Sequence, residues 1–211
     1  IGNIVMDVAE VERVRFRALG GTDAITVGDL TGTEVKNVDL DLAGPIDPNA
    51  GDGVADSVTV NGTNGDDLIA LAAGPGGVSI VGAPAQVLIT HADPTQDQLT
   101  LNALAGNDTI DASGVPAGRI QLTLNGGDDT DTLIGSDGDD ILVGGRGVDT
   151  LFGGAGDDTF TWNPGDGNDT IEGQSGTDTL AFHGANVAEV FDLSANGGRL
   201  RFTRNIATIV M

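Results

Sequence analysis

GSDGDDILVGGRGVDTLFGGAGDDTF, residues 135–160, states one nine-residue unit three times. Each copy opens on a small residue, reaches an Asp five positions later and a large apolar residue two positions after that. In register, the opening position falls at Gly126, Gly135, Gly144, Gly153, Pro164 and Gly173. The acid falls at Asp131, Asp140, Asp149, Asp158, Asp169 and Asp178, and the apolar residue at Leu133, Leu142, Leu151, Phe160, Ile171 and Leu180. The spacings are 9, 9, 9, 11 and 9, broken once where Trp162 and Asn163 are inserted.

Each unit reads as a turn followed by a very short strand. Glycine supplies backbone at positive φ and leaves room for carbonyls to face outward. The strand is three residues long with its middle side chain inward, the two-residue period at its shortest. Two units make one coil of a flattened spring, so turns on the same edge lie two units apart. Asp131 then stacks against the turn at 144–149, Asp140 against that at 153–158, and Asp149 and Asp158 against the turns leading to Asp169 and Asp178. Carboxylates stacked about 5 Å apart repel unless a cation lies between them. Hard oxygen ligands of this kind, carboxylate and carbonyl, suit Ca²⁺.

Residues 126–181 resemble the hemolysin-type calcium-binding repeats of the RTX family, G-G-x-G-x-D-x-U-x. The resemblance implies a parallel β-roll that holds several Ca²⁺ ions and folds only when they bind, after export in an unfolded state. The metal candidates are Asp131, Asp140, Asp149, Asp158, Asp169 and Asp178 with Gly126, Gly135, Gly144 and Gly153. Asp108, at the equivalent place in LTLNALAGNDTIDA, joins them. Asp129, Ser136 and Gln174 stand where the pattern has glycine, and Pro164 with the two-residue insertion disturbs the fifth unit.

Upstream, VRFRALGGTDAITV from Val14, VTVNGTNGDDLIAL from Val58 and LTLNALAGNDTIDA from Leu99 align over fourteen residues. Each carries an apolar pair at its first and third positions, an Asp at the tenth (Asp23, Asp67, Asp108) and an Ile two later (Ile25, Ile69, Ile110). Alternating stretches at 38–42, 78–81, 87–90 and 120–124 lie between them, and no helical period competes. The expected fold is all-β: a right-handed parallel β-solenoid whose irregular wide coils (1–124) lead into the β-roll (125–181), with strands at 182–211 leading into a next tandem unit. GPIDPNAGDG, 44–53, is an excursion from it. A separate β-sandwich followed by a calcium tail is the second reading.

Composition agrees. The 211 residues include 34 Gly, no Cys and 3% aromatics, with 32 acidic residues, five of them Glu, and a net charge of −23. An apolar content of 39% is too high for a solvated acidic tail, so the apolar residues are interspersed among the acids. This charge repels nucleic acid and anionic membranes. No apolar run is long enough to span a membrane, and no secretion signal is visible. Absence of Cys fits a secreted bacterial protein that needs no disulfides.

IGNIVM at 1–6 and IATIVM at 206–211 match at four of six positions, as a chain cut from tandem copies would. Copies of the chain are therefore expected to join head to tail. Arg13, Arg15, Arg17, Arg199, Arg201 and Arg204 would then form a basic patch able to dock laterally on acidic turns. Catalysis finds little support: His91 and His183 stand alone as surface residues, Lys36 is the only Lys, and Trp162 offers the only large ring for stacking a sugar. The expected role is structural and extracellular, as a calcium-stabilised unit of a filament, surface layer or adhesin stalk advancing about 50 Å per unit. The alternative is a calcium-folded carrier module of a secreted enzyme or toxin.

Overall fold

The computed structural model describes residues 5–44, 47 and 49–206, and among these there is no helix. The strands in chain order are β1 (Arg13–Arg17), β2 (Ala24–Val27), β3 (Asn37–Asp41), β4 (Ser57–Asn61), β5 (Leu68–Gly74), β6 (Gly77–Val81), β7 (Gln86–Thr90), β8 (Gln98–Ala105), β9 (Thr109–Gly114) and β10 (Gln121–Asp128). The nine-residue repeats supply β11 (Thr132–Ile134), β12 (Asp140–Arg146), β13 (Thr150–Ala155), β14 (Thr159–Trp162), β15 (Thr170–Ser175) and β16 (Thr179–Phe182), and β17 (Glu189–Asn196) and β18 (Arg199–Ile206) follow. One sheet runs β1-β3-β7-β6-β5-β9-β11-β13-β15 and the other β16-β14-β12-β10-β8-β4-β2. The chain crosses between them at nearly every turn, and neighbours from successive coils pair in parallel, as in β8–β10–β12 and β9–β11–β13. This is a parallel β-solenoid passing into a β-roll.

Alternation places the core. Val38, Leu40, Val87 and Ile89 point inward from one sheet and Val58, Val60, Leu99 and Leu101 from the other, in one apolar cluster. The inward stripe continues through Leu133, Leu142, Leu151 and Phe160, all buried, then fades to half-buried Ile171 and to Leu180, which is 43% exposed. On the outer face of the second sheet, Asn61, Asn102 and Asn125 stand in register and their side-chain amides form a ladder, with Asn102 Nδ2 donating to Asn61 Oδ1 (2.9 Å) and Asn125 Nδ2 to Asn102 Oδ1 (2.7 Å).

Three features give the irregular coils their form. VSIV forms β6, which runs antiparallel between β5 and β7 and widens one sheet by a meander. The two-residue turn Pro75-Gly76 reverses the chain there. Second, VRFRALGGTDAITV is half a coil out of phase with its relatives: Val58 pairs with Leu99, whereas Val14 pairs with Val38 in the opposite sheet. Third, 189–206 does not begin a further coil. Gly197 and Gly198 turn β17 back on β18 as an antiparallel hairpin. Its Phe191 and Phe202 pack on Phe182, which stacks on Trp162 at 4.2 Å between ring centroids, and Arg204 lies over the Trp162 ring. The matching terminal hexapeptides fall largely outside the described residues. The loop at 44–53, closed by an Ala43–Gly51 bridge, joins β3 to β4.

The isolated residues are engaged. His91 Nδ1 meets Asp41 Oδ1 at 2.7 Å, and His183 Nδ1 meets Asn163 Oδ1 at 2.9 Å. Trp162 closes the inserted turn by donating Nε1–H to the Gly167 carbonyl (3.0 Å).

Candidate metal centre

The repeat acids form ladders along the two edges. On the edge preceding the first sheet, each Asp N–H donates to Oδ1 of the Asp one coil on: Asp67 to Asp108 (2.7 Å), Asp108 to Asp131 (2.8 Å), Asp131 to Asp149 (2.9 Å) and Asp149 to Asp169 (3.1 Å). On the opposite edge Asp140 donates to Asp158 (3.0 Å) and Asp158 to Asp178 (3.1 Å). The stacking of turns two units apart, Asp131 on Asp149 and Asp140 on Asp158, is the one the nine-residue period demands. Adjacent acids diverge: Asp158 is buried while Asp157 Oδ1 accepts the Thr177 N–H outside.

One carboxylate oxygen per Asp serves the ladder and the other is the functional atom. Oδ2 of Asp108, Asp131, Asp149 and Asp158 is buried without a hydrogen-bond partner. A buried polar group left unpaired costs about 1–3 kcal/mol, more when charged, so three along one edge and one on the other require an explanation. At Asp131, Asp149 and Asp158 the glycine five residues earlier supplies it. A Cβ on Gly126 would strike both Asp131 Oδ2 and the Gly144 carbonyl oxygen, and one on Gly153 would strike both Asp158 Oδ2 and the Gly173 carbonyl oxygen. Carboxylate and carbonyl oxygens therefore approach one another across space that only glycine leaves open. Gly144 lies likewise against Asp149 Oδ2, and Gly135 against the Gly153 carbonyl and Asp140 Oδ2.

Electrostatics agree. Burial pushes the Asp131 carboxyl up to about 7 against the Asp108 N–H bond, with Asp108, Asp149 and Asp129 adding to the rise. Burial raises Asp149 to about 6, aided by Asp169 and Asp166, and Asp140 to about 6, aided by Asp158 and Asp139. Asp108, Asp158 and Asp169 are raised by the same burial. The stack resists carrying negative charge unaided, and a hard divalent cation removes that resistance. Among the described residues no three His, Cys, Asp or Glu side chains converge on one point. The donor set is instead one carboxylate with backbone carbonyls, which fits Ca²⁺ better than a metal seeking nitrogen or sulfur. Calcium, when bound, supplies positive charge between stacked carboxylates; Asp131, Asp149 and Asp158 would hold it with the facing carbonyls.

The remaining candidates differ. Asp140 has both oxygens satisfied within its own turn, by Ser136 N–H and Oγ–H. Asp169 is half-buried and Asp178 exposed, at the last coil of the roll among the described residues. Sequence reasoning passed over Asp56 and Asp97, which continue a ladder from Asp23: Asp23 N–H donates to Asp56 and Asp56 N–H to Asp97, both at 2.8 Å. The interval from Gly51 to Asp56 carries the signal, matching that from Gly126 to Asp131.

The family model of the RTX calcium-binding nonapeptide repeat matches the chain in four copies, over residues 100–114, 125–160 and 165–185. Those residues, about a third of the chain, are thus RTX repeats and form a calcium-binding repeat module, and the match reaches back to the turn of Asp108. No curated protein matches it.

Proposed function

We propose that this chain is a calcium-folded structural unit of a secreted bacterial protein, non-catalytic, that stacks on copies of itself head to tail. The observation that carries the calcium dependence is the set of buried, unpartnered Oδ2 atoms at Asp108, Asp131 and Asp149 on one edge and Asp158 on the other. RTX repeat proteins are typically secreted and bacterial, where calcium is abundant outside the cell, so an ion-dependent fold suits that location. Head-to-tail stacking draws support from the first coil. There β1 and β2 are edge strands, and Val14 and Phe16 of β1 are exposed, as a coil awaiting a neighbour would leave them. Lateral docking draws less: Arg13 and Arg15 pair with Asp39, Arg17 with Asp41, Arg199 with Glu172 and Arg204 with Glu189, leaving Arg201 of the six. Far-UV circular dichroism in millimolar calcium, and in chelator with magnesium, tests the reading. Strand signal that falls in chelator and is restored by calcium is expected; a full strand signal in chelator would overturn it.

The hairpin favours a second reading. By packing Phe191 and Phe202 on the last coil it closes that end as a terminated module would, the arrangement of a calcium-folded carrier attached to a secreted enzyme or toxin. Electron imaging in calcium separates the two: continuous fibres support stacking, and discrete particles support the carrier.

A further inference from the structure

The turns ending at Asp67, Asp108, Asp131, Asp140, Asp149 and Asp158 are of two kinds, and the second residue of each distinguishes them. In the turns ending at Asp108, Asp131, Asp149 and Asp158 that residue is left-handed, with φ of 86° at Leu104, 121° at Gly127, 93° at Gly145 and 111° at Gly154. All four leave the Asp Oδ2 buried and unpartnered. Leu19 (φ 64°) precedes Asp23 in the same way, and Asp23 Oδ2 is also orphaned; in the turn of Asp56, whose Oδ2 is orphaned too, the left-handed residue is the third, Gly53 (φ 77°), and Asp97 Oδ2 accepts the Asp93 N–H (2.7 Å).

Two other turns share the sequence Gly-Ser/Thr-x-Gly-Asp-Asp and close on themselves. In Gly62–Asp67, Asp67 Oδ2 accepts both the Thr63 N–H (2.6 Å) and the Thr63 Oγ1–H (3.1 Å), while Thr63 Oγ1 accepts the Gly65 N–H (3.1 Å). In Gly135–Asp140, Ser136 N–H donates to Asp140 Oδ2 (2.5 Å), Ser136 Oγ–H to Asp140 Oδ1 (3.1 Å), and Gly138 N–H to Ser136 Oγ (3.0 Å). Neither Thr63 nor Ser136 has positive φ, and neither Asp67 nor Asp140 is orphaned. Their place in the molecule is the same. Asp67 and Asp140 are the first rungs of the ladders leading to Asp169 and Asp178, where no preceding rung donates to the carboxylate.

We infer that the Thr63 and Ser136 turns take no calcium and act as metal-free starters, each beginning a ladder whose later rungs at Asp108, Asp131, Asp149 and Asp158 do. A right-handed second residue turns its own N–H onto the carboxylate and the hydroxyl adds a second donor, so the oxygen a cation would use is already occupied. A left-handed second residue withholds that N–H and the oxygen is left for the ion. The inference rests on the calcium reading above and goes further by dividing the acids between the two turn types.

Native mass spectrometry of the chain in calcium, with calorimetric stoichiometry alongside, counts the ions. D149N is expected to bind one ion fewer than the wild type and D140N the same number. S136G, which frees Asp140 Oδ2 and permits left-handed φ, is expected to bind one more. Loss of an ion in D140N, or an unchanged count in S136G, overturns the inference while leaving the calcium fold intact. A wild type that binds none overturns the calcium reading itself, and this one with it. Should D149N not fold, D140N and S136G still decide.

Discussion

At the residue scale the pivotal group is a buried Asp whose carboxyl stands above its ordinary value. With Asp131 raised from 3.8 to about 7, the folded chain without calcium binds more protons than the unfolded chain between those values. Its contribution to stability is full below about 3.8 and is lost as the pH rises through about 7. Asp41 titrates the other way: although burial opposes it, His91 and Arg17 hold it low, so its contribution is lost only in strong acid. Thermal melts in chelator are therefore expected to show a higher midpoint at pH 4.5 than at pH 8, and the reverse order would contradict the burial of these acids. With calcium present protons compete with the ion, so affinity should fall below about pH 7. D131N follows from the same balance. In chelator it removes a buried charge and places an amide able to donate toward the Gly144 carbonyl, stabilising by ~1 kcal/mol. In calcium it removes a ligand and destabilises, so the sign of its effect on the melting midpoint should change with the ion.

At the element scale the turn backbone sets which substitutions are tolerated. Leu104 occupies left-handed φ, where a non-glycine residue costs about 1–2 kcal/mol, and its side chain is partly exposed. L104G is expected to raise stability by ~1 kcal/mol in a calcium titration of urea midpoints. G127A, in register on the next coil, would drive a Cβ into the Leu104 carbonyl oxygen and should lower the midpoint by more than that gain. The repeat turns were legible in the sequence because nine-residue spacing, glycine and Asp each answer to one local requirement. Direction and phase were not. Alternating apolar residues read identically on either sheet, so nothing local told Val14 from Val58, which lie on opposite sheets. The reversal at Pro75-Gly76 carried a turn signal, yet β6 runs antiparallel because that turn returns it between β5 and β7, a tertiary outcome. The distinction between Asp140 and Asp149 hung on one hydroxyl, visible as Ser136 in the sequence but given meaning only by its hydrogen bonds.

At the scale of the whole molecule, apolar burial and calcium divide the work unevenly along the solenoid. Strands β7 and β8 alone bury Val87, Ile89, Leu99, Leu101 and Ala103, whereas the first four nonapeptides from 126 onward bury one large apolar side chain each, Leu133, Leu142, Leu151 and Phe160, and the last two bury none. At roughly 1.5–3 kcal/mol per buried large side chain, the early coils gain several times more from burial than the roll does. The orphaned oxygens divide evenly, Asp23, Asp56 and Asp108 before the roll and Asp131, Asp149 and Asp158 within it, so the part with least apolar support to offset them has the greatest need of the ion. Chelation should accordingly melt the molecule from the roll. Amide exchange is expected to become fast over 126–181 while Ser57–Asn61, Gln86–Thr90 and Gln98–Ala105 stay protected. Trp162, stacked on Phe182 at the far end of the roll, should shift its fluorescence to the red in the same calcium range. Uniform loss of protection from β3 to β16 would instead mean that the first coils lean on the roll, and that calcium, through the continuous Asp67-to-Asp169 ladder, holds the whole solenoid as one cooperative unit.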